Sequence, residues 1–239
     1  MNAQLLLLLL LFAPFAAAQT PVDVSAEPHH HLLLENDKVR VFALTLRQTE
    51  QAYAMHEHNL LLIGLRDCEL VMWSEGHSDV QNFPFAQGDA RFLFGGRAIG
   101  VRNERSSECQ QIVVEFLNPK VTTFGYQYGK GRWEYGSSAL SIPDPHNLPV
   151  DPHARFANTM QLGEAVAKDV QLPPGETLPA PEKQAAQLLV ALTDLDLQRD
   201  GEERIRKSQA DLAWIPANRM TKLTNNDAHP ARFVVVELR

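Results

Sequence analysis

Leu61-Leu62-Ile63-Gly64-Leu65-Arg66-Asp67-Cys68-Glu69-Leu70 lies over Leu188-Leu189-Val190-Ala191-Leu192-Thr193-Asp194-Leu195-Asp196-Leu197. The match continues downstream. Asp89-Ala90-Arg91-Phe92-Leu93 covers Asp211-Leu212-Ala213-Trp214-Ile215, Asn103 falls on Asn225, and Ile112-Val113-Val114-Glu115 covers Val234-Val235-Val236-Glu237. Self-similarity at one long period means that one structural unit occurs twice. Two copies of one domain are therefore expected, over residues 28–118 and 151–239, joined by a connector over 119–150.

Short β-branched and aromatic runs recur at 39–46, 60–65, 70–73, 90–94, 112–117, 188–192 and 233–238. Turn signals such as Gln87-Gly88-Asp89, Gly95-Gly96 and Pro173-Pro174-Gly175 separate them, the pattern of an antiparallel all-β domain. Only 182–189 and 202–213 suggest helices. In the connector, Phe124, Tyr126, Tyr128, Trp133 and Tyr135 stand among glycines and read as a structured segment packing on the domains.

The 239 residues are 44% hydrophobic and 21% charged, an ordinary globular balance. A net charge of -7 lacks the basic surplus that phosphate-backbone binding needs, so nucleic acid is not an expected partner. Residues 1–18 form an apolar segment ending in Ala16-Ala17-Ala18, which reads as a secretory signal peptide cut before Gln19. That segment is short against the roughly 20 residues needed to span a bilayer. The expectation is export, to a periplasm or the outside, with no stable membrane span after cleavage. In an oxidising compartment Cys68 and Cys109 either form a disulfide or remain two buried thiols.

Each half resembles a cupin domain, a jelly-roll barrel of two antiparallel sheets, and the pair resembles a bicupin. The family's second motif is Gly, five residues, Pro, one, Gly, two, His, three, Asn. This sequence has Gly88, Phe94 in place of Pro, Gly96, Ile99 in place of His, and Asn103. The second half has Ala210, Pro216, Asn218, Thr221 in place of His, and Asn225. Asn218 is expected to keep the left-handed turn that Gly96 makes.

The family's first motif matches at His56-Glu57-His58, with Glu50 for its leading Gly and Leu62 or Ile63 for its Glu. The second-half counterparts are Gly175, Pro181, Lys183 and Gln187, without a histidine.

If one strand carries His56 and His58, both imidazoles face one interior and could begin a transition-metal site. The third-ligand position holds Ile99, which cannot ligate, and Asn103 is the nearest polar group on that strand. His56, His58, Ile99 and Asn103 are therefore the expected pocket residues, with His56 and His58 the metal candidates. His29-His30-His31 could complete a metal site, or could be a solvated strand edge. His77, His146, His153 and His229 read as surface, as does the mixed-charge run 199–204. Glu115 and Glu237 occupy repeat-related positions and are expected to serve the shared fold.

The expected function is a non-catalytic small-ligand-binding or structural module. The alternative is a metal-dependent enzyme of dioxygenase or isomerase type using His56 and His58. The cofactor is accordingly either none or one divalent transition metal. A homodimer through exposed sheet edges is compatible with this architecture.

Overall fold

A computed structural model describes residues 20–75, 80–117, 124–128, 133–136, 156–162, 165–181, 185–199, 204–219 and 222–238. Residues 1–19 and most of the connector lie outside these residues.

In the first half, β2 (His30–Glu35), β3 (Val39–Leu46), β10 (Cys109–Phe116), β5 (Leu60–Gly64) and β8 (Ala90–Leu93) form one sheet in that spatial order. The facing sheet runs β1 (Val22–Asp23), β4 (Gln51–His56), β9 (Arg97–Asn103), β6 (Cys68–Ser74) and β7 (Gln81–Phe85).

The second half repeats both orders. Its larger sheet contains β13 (Phe156–Leu162), β14 (Ala165–Leu172), β21 (Ala231–Leu238), β16 (Ala186–Ala191) and β19 (Leu212–Ile215). Its smaller sheet contains β15 (Thr177–Leu178), β20 (Leu223–Asn225), β17 (Leu195–Arg199) and β18 (Arg204–Lys207). The connector supplies a hairpin, β11 (Phe124–Tyr128) and β12 (Trp133–Gly136), that adds to the edge at β13.

The register repeats as well: Ile112 stands opposite Ile63, and Val234 opposite Val190. The molecule is two tandem jelly rolls.

The central strands are apolar on both faces because both faces are covered. Leu61, Ile63, Ile112 and Val114 of the first half share one core with Leu188, Val190, Val234 and Val236 of the second. Their neighbours Leu60, Leu62 and Val113 point the other way, into the first half's own interior, and Leu189, Val235 and Phe233 point into the second's. Strands buried on two sides read as continuous hydrophobic runs, without alternation. This explains why the repeat is clearest there.

Neither segment that suggested a helix, 182–189 or 202–213, is helical in its described residues. The described parts of those segments are β16, β18 and β19. Ala186, Gln187 and Leu188 are helix-compatible letters, but each is buried in a strand paired on both sides, and tertiary packing overrides propensity. The only helical turns among the described residues are short 3₁₀ turns at Val24–Ala26 and Ala217–Arg219.

The turns repeat down to single hydrogen bonds. Gly88 N–H donates to Gly64 O at 2.8 Å, and Ala210 N–H to Ala191 O at 2.9 Å. Thr49 N–H donates to Asn103 O, and Gly175 N–H to Asn225 O, both at 2.8 Å. Gly175 is thus the equivalent of Thr49, one residue away from the alignment with Glu50. Asn218 lies in the 3₁₀ turn, a right-handed geometry, so the second half does not repeat the left-handed turn at Gly96 (φ 76°).

At the two repeated turns one half has glycine and the other does not: φ is 90° at Gly88 against 72° at Ala210, and 74° at Gly175 against 65° at Thr49. A side chain in the left-handed region costs roughly 1–2 kcal/mol, partly offset by the unfolded-state entropy that glycine adds. Thr49 is exposed, so Thr49→Gly is expected to stabilise by about 0.5–1 kcal/mol, read as a higher urea midpoint at unchanged slope. Ala210→Gly gains less, because the Ala210 methyl packs on the core shared by the halves.

Candidate functional site

β4 carries Ala52, Ala54 and His56 on its buried face and ends at His56, where Gly96 N–H binds the His56 carbonyl at 2.7 Å. His58 therefore lies beyond the strand, half-buried, and the alternation that would align it with His56 does not extend to it. The pair expected to share one interior is not built by this strand.

His56 has partners that sequence spacing did not suggest. Its Nδ1 is 2.9 Å from Oε1 of Glu115, which is fully buried on β10. The other Glu115 oxygen accepts from Arg40 Nη2 at 2.8 Å and Nε at 3.1 Å. The ring of His30, on β2, stands 5.8 Å from that of His56 in an edge-on arrangement. His30 Nδ1 lies 2.6 Å from Oε2 of Glu27, and His29 Nδ1 2.9 Å from its Oε1.

Burial would raise the Glu27 carboxyl, but hydrogen bonds from His30 and His29 outweigh it and hold the pKa at about 2. Burial lowers the pKa of His30, and neighbouring His56 adds to that against the opposing pull of Glu27. Of the histidine triplet, His30 is buried, His29 half-buried and His31 exposed. His229 is exposed; His77, His146 and His153 fall outside the described residues.

Ile99 pairs with Ala54 and packs in the apolar interior. Asn103 is fully buried, but its amide is fully engaged. Its Nδ2 donates to Leu46 O at 2.9 Å and Ser107 O at 2.7 Å, and its Oδ1 accepts from Arg105 N–H at 2.9 Å. Asn225 makes the same three bonds, to Leu172 O, His229 O and Asp227 N–H. An identical network in both halves makes Asn103 a turn-locking residue, so it is removed from the expected pocket.

Glu115 and Glu237, by contrast, are not equivalent. Glu237, itself buried, accepts from the partly exposed Lys168 Nζ at 2.8 Å, whereas Glu115 links a buried histidine to an arginine.

The family's metal set does not fit these residues. His56 is placed for it, but His58 is off the strand, Leu62 and Ile63 are buried apolar side chains, and Ile99 has no donor. Among the described residues no group of three His, Cys, Asp or Glu is arranged to hold a metal.

Two interior residues were not singled out from the sequence. Arg91 is 4% exposed on β8 and faces the first half's interior, since its chain neighbours Ala90 and Phe92 pack in the shared core and its register partner Leu62 points inward. Gln111 is 1% exposed on β10, between Cys109 and Val113 on the same inward face. The signal lay in the repeat itself, which sets Arg91 against Ala213 and Gln111 against Phe233.

No family model and no curated protein sequence matches the chain. Solved structures do. AerE from Microcystis aeruginosa superposes with a TM-score of 0.59 at 10% identity, covering 89% of this chain and 98% of its own. Salicylate 1,2-dioxygenase from Pseudoaminobacter salicylatoxidans gives 0.54 at 9% identity, covering 84% and 68%. Procruciferin, an 11S globulin from Brassica napus, gives 0.53 at 9% identity, covering 84% and 76%. The neighbours are cupin proteins. This chain has the cupin fold. Proteins of this fold include both a dioxygenase and an 11S globulin, so the fold alone does not assign an activity. The cupin resemblance read from Gly88, Gly96 and Asn103 is thus matched by the fold, while of the ligand positions of the cupin motifs His56 is in place and the others are apolar or displaced.

Proposed function

We propose that the chain is an exported, non-catalytic cupin-fold protein that binds a small ligand inside its first half, with the second half serving as its packing partner. The observation carrying this reading is the pair of orphaned polar side chains in the first interior. Both amide atoms of Gln111 and the Nε of Arg91 are buried without a hydrogen-bond partner. Such groups cost about 1–3 kcal/mol each when left unpaired, and a bound molecule relieves that cost.

The Cys68–Cys109 disulfide supports export, because such bridges persist in oxidising compartments. Among the described residues no helix is long and apolar enough to cross a membrane, which leaves β-barrel spanning untouched.

A second reading, a metal-dependent enzyme of dioxygenase or isomerase type, is favoured by one feature. His56 and His30 each hold a carboxylate through Nδ1, as metal-ligating histidines commonly do. Their Nε2 atoms would be the donors, in place of the His56 and His58 pair.

Native mass spectrometry of the exported protein, screened against a small-molecule library, separates the two readings. The expected result is a chain beginning at Gln19 that retains one ligand and returns it chemically unchanged. Conversion of the ligand only after addition of Fe, Mn, Zn, Cu or Ni, abolished by His56→Ala, would overturn the non-catalytic reading.

A further inference from the structure

We propose that Arg91 and Gln111 form the recognition site for the carboxylate of a small organic acid with an apolar tail. This deepens the small-ligand reading above and rests on it.

An arginine is charged at any physiological pH, so a buried one needs an anion. Arg91 is only partly served: among the described residues its Nη2 donates to the Pro84 carbonyl at 3.3 Å and stands 3.8 Å from Asp89 Oδ2, an ion pair beyond hydrogen-bond reach, while its Nε has no partner. That same Asp89 oxygen accepts Ala86 N–H at 2.9 Å, and Asp89 also acts electrostatically on Asp169 and Arg232 of the second half. The guanidinium lies 5.3 Å from the centroid of the Phe83 ring and 5.8 Å from that of Phe85. Those contacts hold the plane in place without neutralising it.

Gln111 is the second element. It stands opposite Gly64 on β5, Val113 stands opposite Leu62, and Leu62 stands opposite Arg91 on β8. Arg91 and Gln111 are thus two strands and two residues apart on one inward face, a Cα separation of about 12 Å. Two long side chains with a carboxylate between them span that distance. One oxygen would accept from the guanidinium fork and the other from the Gln111 amide N–H.

The second half is an internal control. Its equivalents are Ala213 and Phe233, and Phe233 is fully buried in an apolar core. The same architecture therefore closes without either polar group. Their retention in one copy, with the Arg91 Nε and both Gln111 amide atoms unpaired against the single Gln187 Oε1 in the other, marks a binding site rather than a fold requirement.

Charge and lining narrow the ligand. One guanidinium and one neutral amide match a monoanion. A phosphate dianion would stand in an interior that already holds Glu115. The surrounding side chains, Phe83, Phe85, Leu62 and Val113, favour an aromatic or aliphatic tail.

The test is calorimetric titration of the full exported protein with benzoate and hexanoate, beside benzyl alcohol, hexanol and inorganic phosphate. The expected result is binding of the two acids alone, weakened at least tenfold in Arg91→Met and in Gln111→Leu. Without ligand, Gln111→Leu is expected to melt at or above the wild-type temperature, since it removes an unsatisfied buried group, whereas Arg91→Met also breaks the ion pair with Asp89 and is read by its loss of binding. Acid binding that survives both substitutions, or variants that lose stability and bind normally, would show the pair to be structural and overturn the proposal. If neutral molecules bind and acids do not, the carboxylate site falls and the small-ligand reading stands. If no small molecule binds, both fall.

Discussion

Glu115→Ala is expected to cost about 3–4 kcal/mol of folding stability, while Glu237→Ala at the repeat-related position costs less than about 1 kcal/mol. Glu115 has no exposed surface, and its removal orphans two groups at once: the Nδ1 of His56, itself 3% exposed, and the Arg40 guanidinium. Breaking a buried ion pair from one side leaves an uncompensated charge, worth 3–5 kcal/mol when solvent cannot reach it. Arg40 retains 17% side-chain exposure, which places the estimate toward the lower end. Glu237 and Lys168 keep 11% and 23%, so water replaces the lost partner there.

Urea unfolding of the two single variants measures the contrast directly. Glu115→Gln, which still accepts from His56 but carries no charge, should fall between wild type and Glu115→Ala. Arg40→Met/Glu115→Met, which removes both charges, should recover part of the loss. Equal costs at positions 115 and 237 would show that the His56–Glu115–Arg40 network contributes nothing specific to stability.

That contrast also marks how far the sequence could be read. The duplication was legible because β5, β16, β10 and β21 are buried on both faces, so their central residues are apolar in both copies. Strands with one face free drift. β18 (Arg204–Lys207) shares few letters with β7 (Gln81–Phe85), although both occupy the same place in their sheets. The segments expected to be helical failed for a related reason. Their letters permit either form, and the decision came from pairing partners far away in the chain.

Within the site, His56 was legible as an inward strand residue, but its partner Glu115 lies 59 positions away and no local pattern connects them. His58 was misplaced because a strand was assumed to continue for two residues beyond its end. The slip at Thr49 and Gly175 has a different cause. A left-handed position usually announces itself with glycine, and here one copy holds that geometry with threonine. Arg91 stood in the alignment as a polar letter opposite Ala213, and extending its last block by one residue sets Gln111 against Phe233. The difference between two copies holds information that their likeness does not.

Removing the disulfide is the other change expected to act strongly: Cys68→Ala/Cys109→Ala should lower stability by about 4 kcal/mol. The two cysteines begin β6 and β10, and the bond ties the facing sheets of the first half together across 41 positions of chain, with Cα atoms 5.3 Å apart. Closing a loop of that length removes conformational entropy from the unfolded chain in proportion to the logarithm of its size, which gives the figure quoted.

The second half manages without a bridge. Leu195 and Ala231 occupy the equivalent places and are buried in its apolar core. This makes a discriminating variant available in Cys68→Leu/Cys109→Ala, which installs the second half's own pair. If the bridge acts by constraining the unfolded chain, this variant should regain only the packing share, about 1 kcal/mol, and remain well below the oxidised wild type. Oxidised wild type treated with reductant should fall to the same level as the alanine double variant. A Leu/Ala variant as stable as the oxidised protein would instead assign the contribution of Cys68 and Cys109 to side-chain packing.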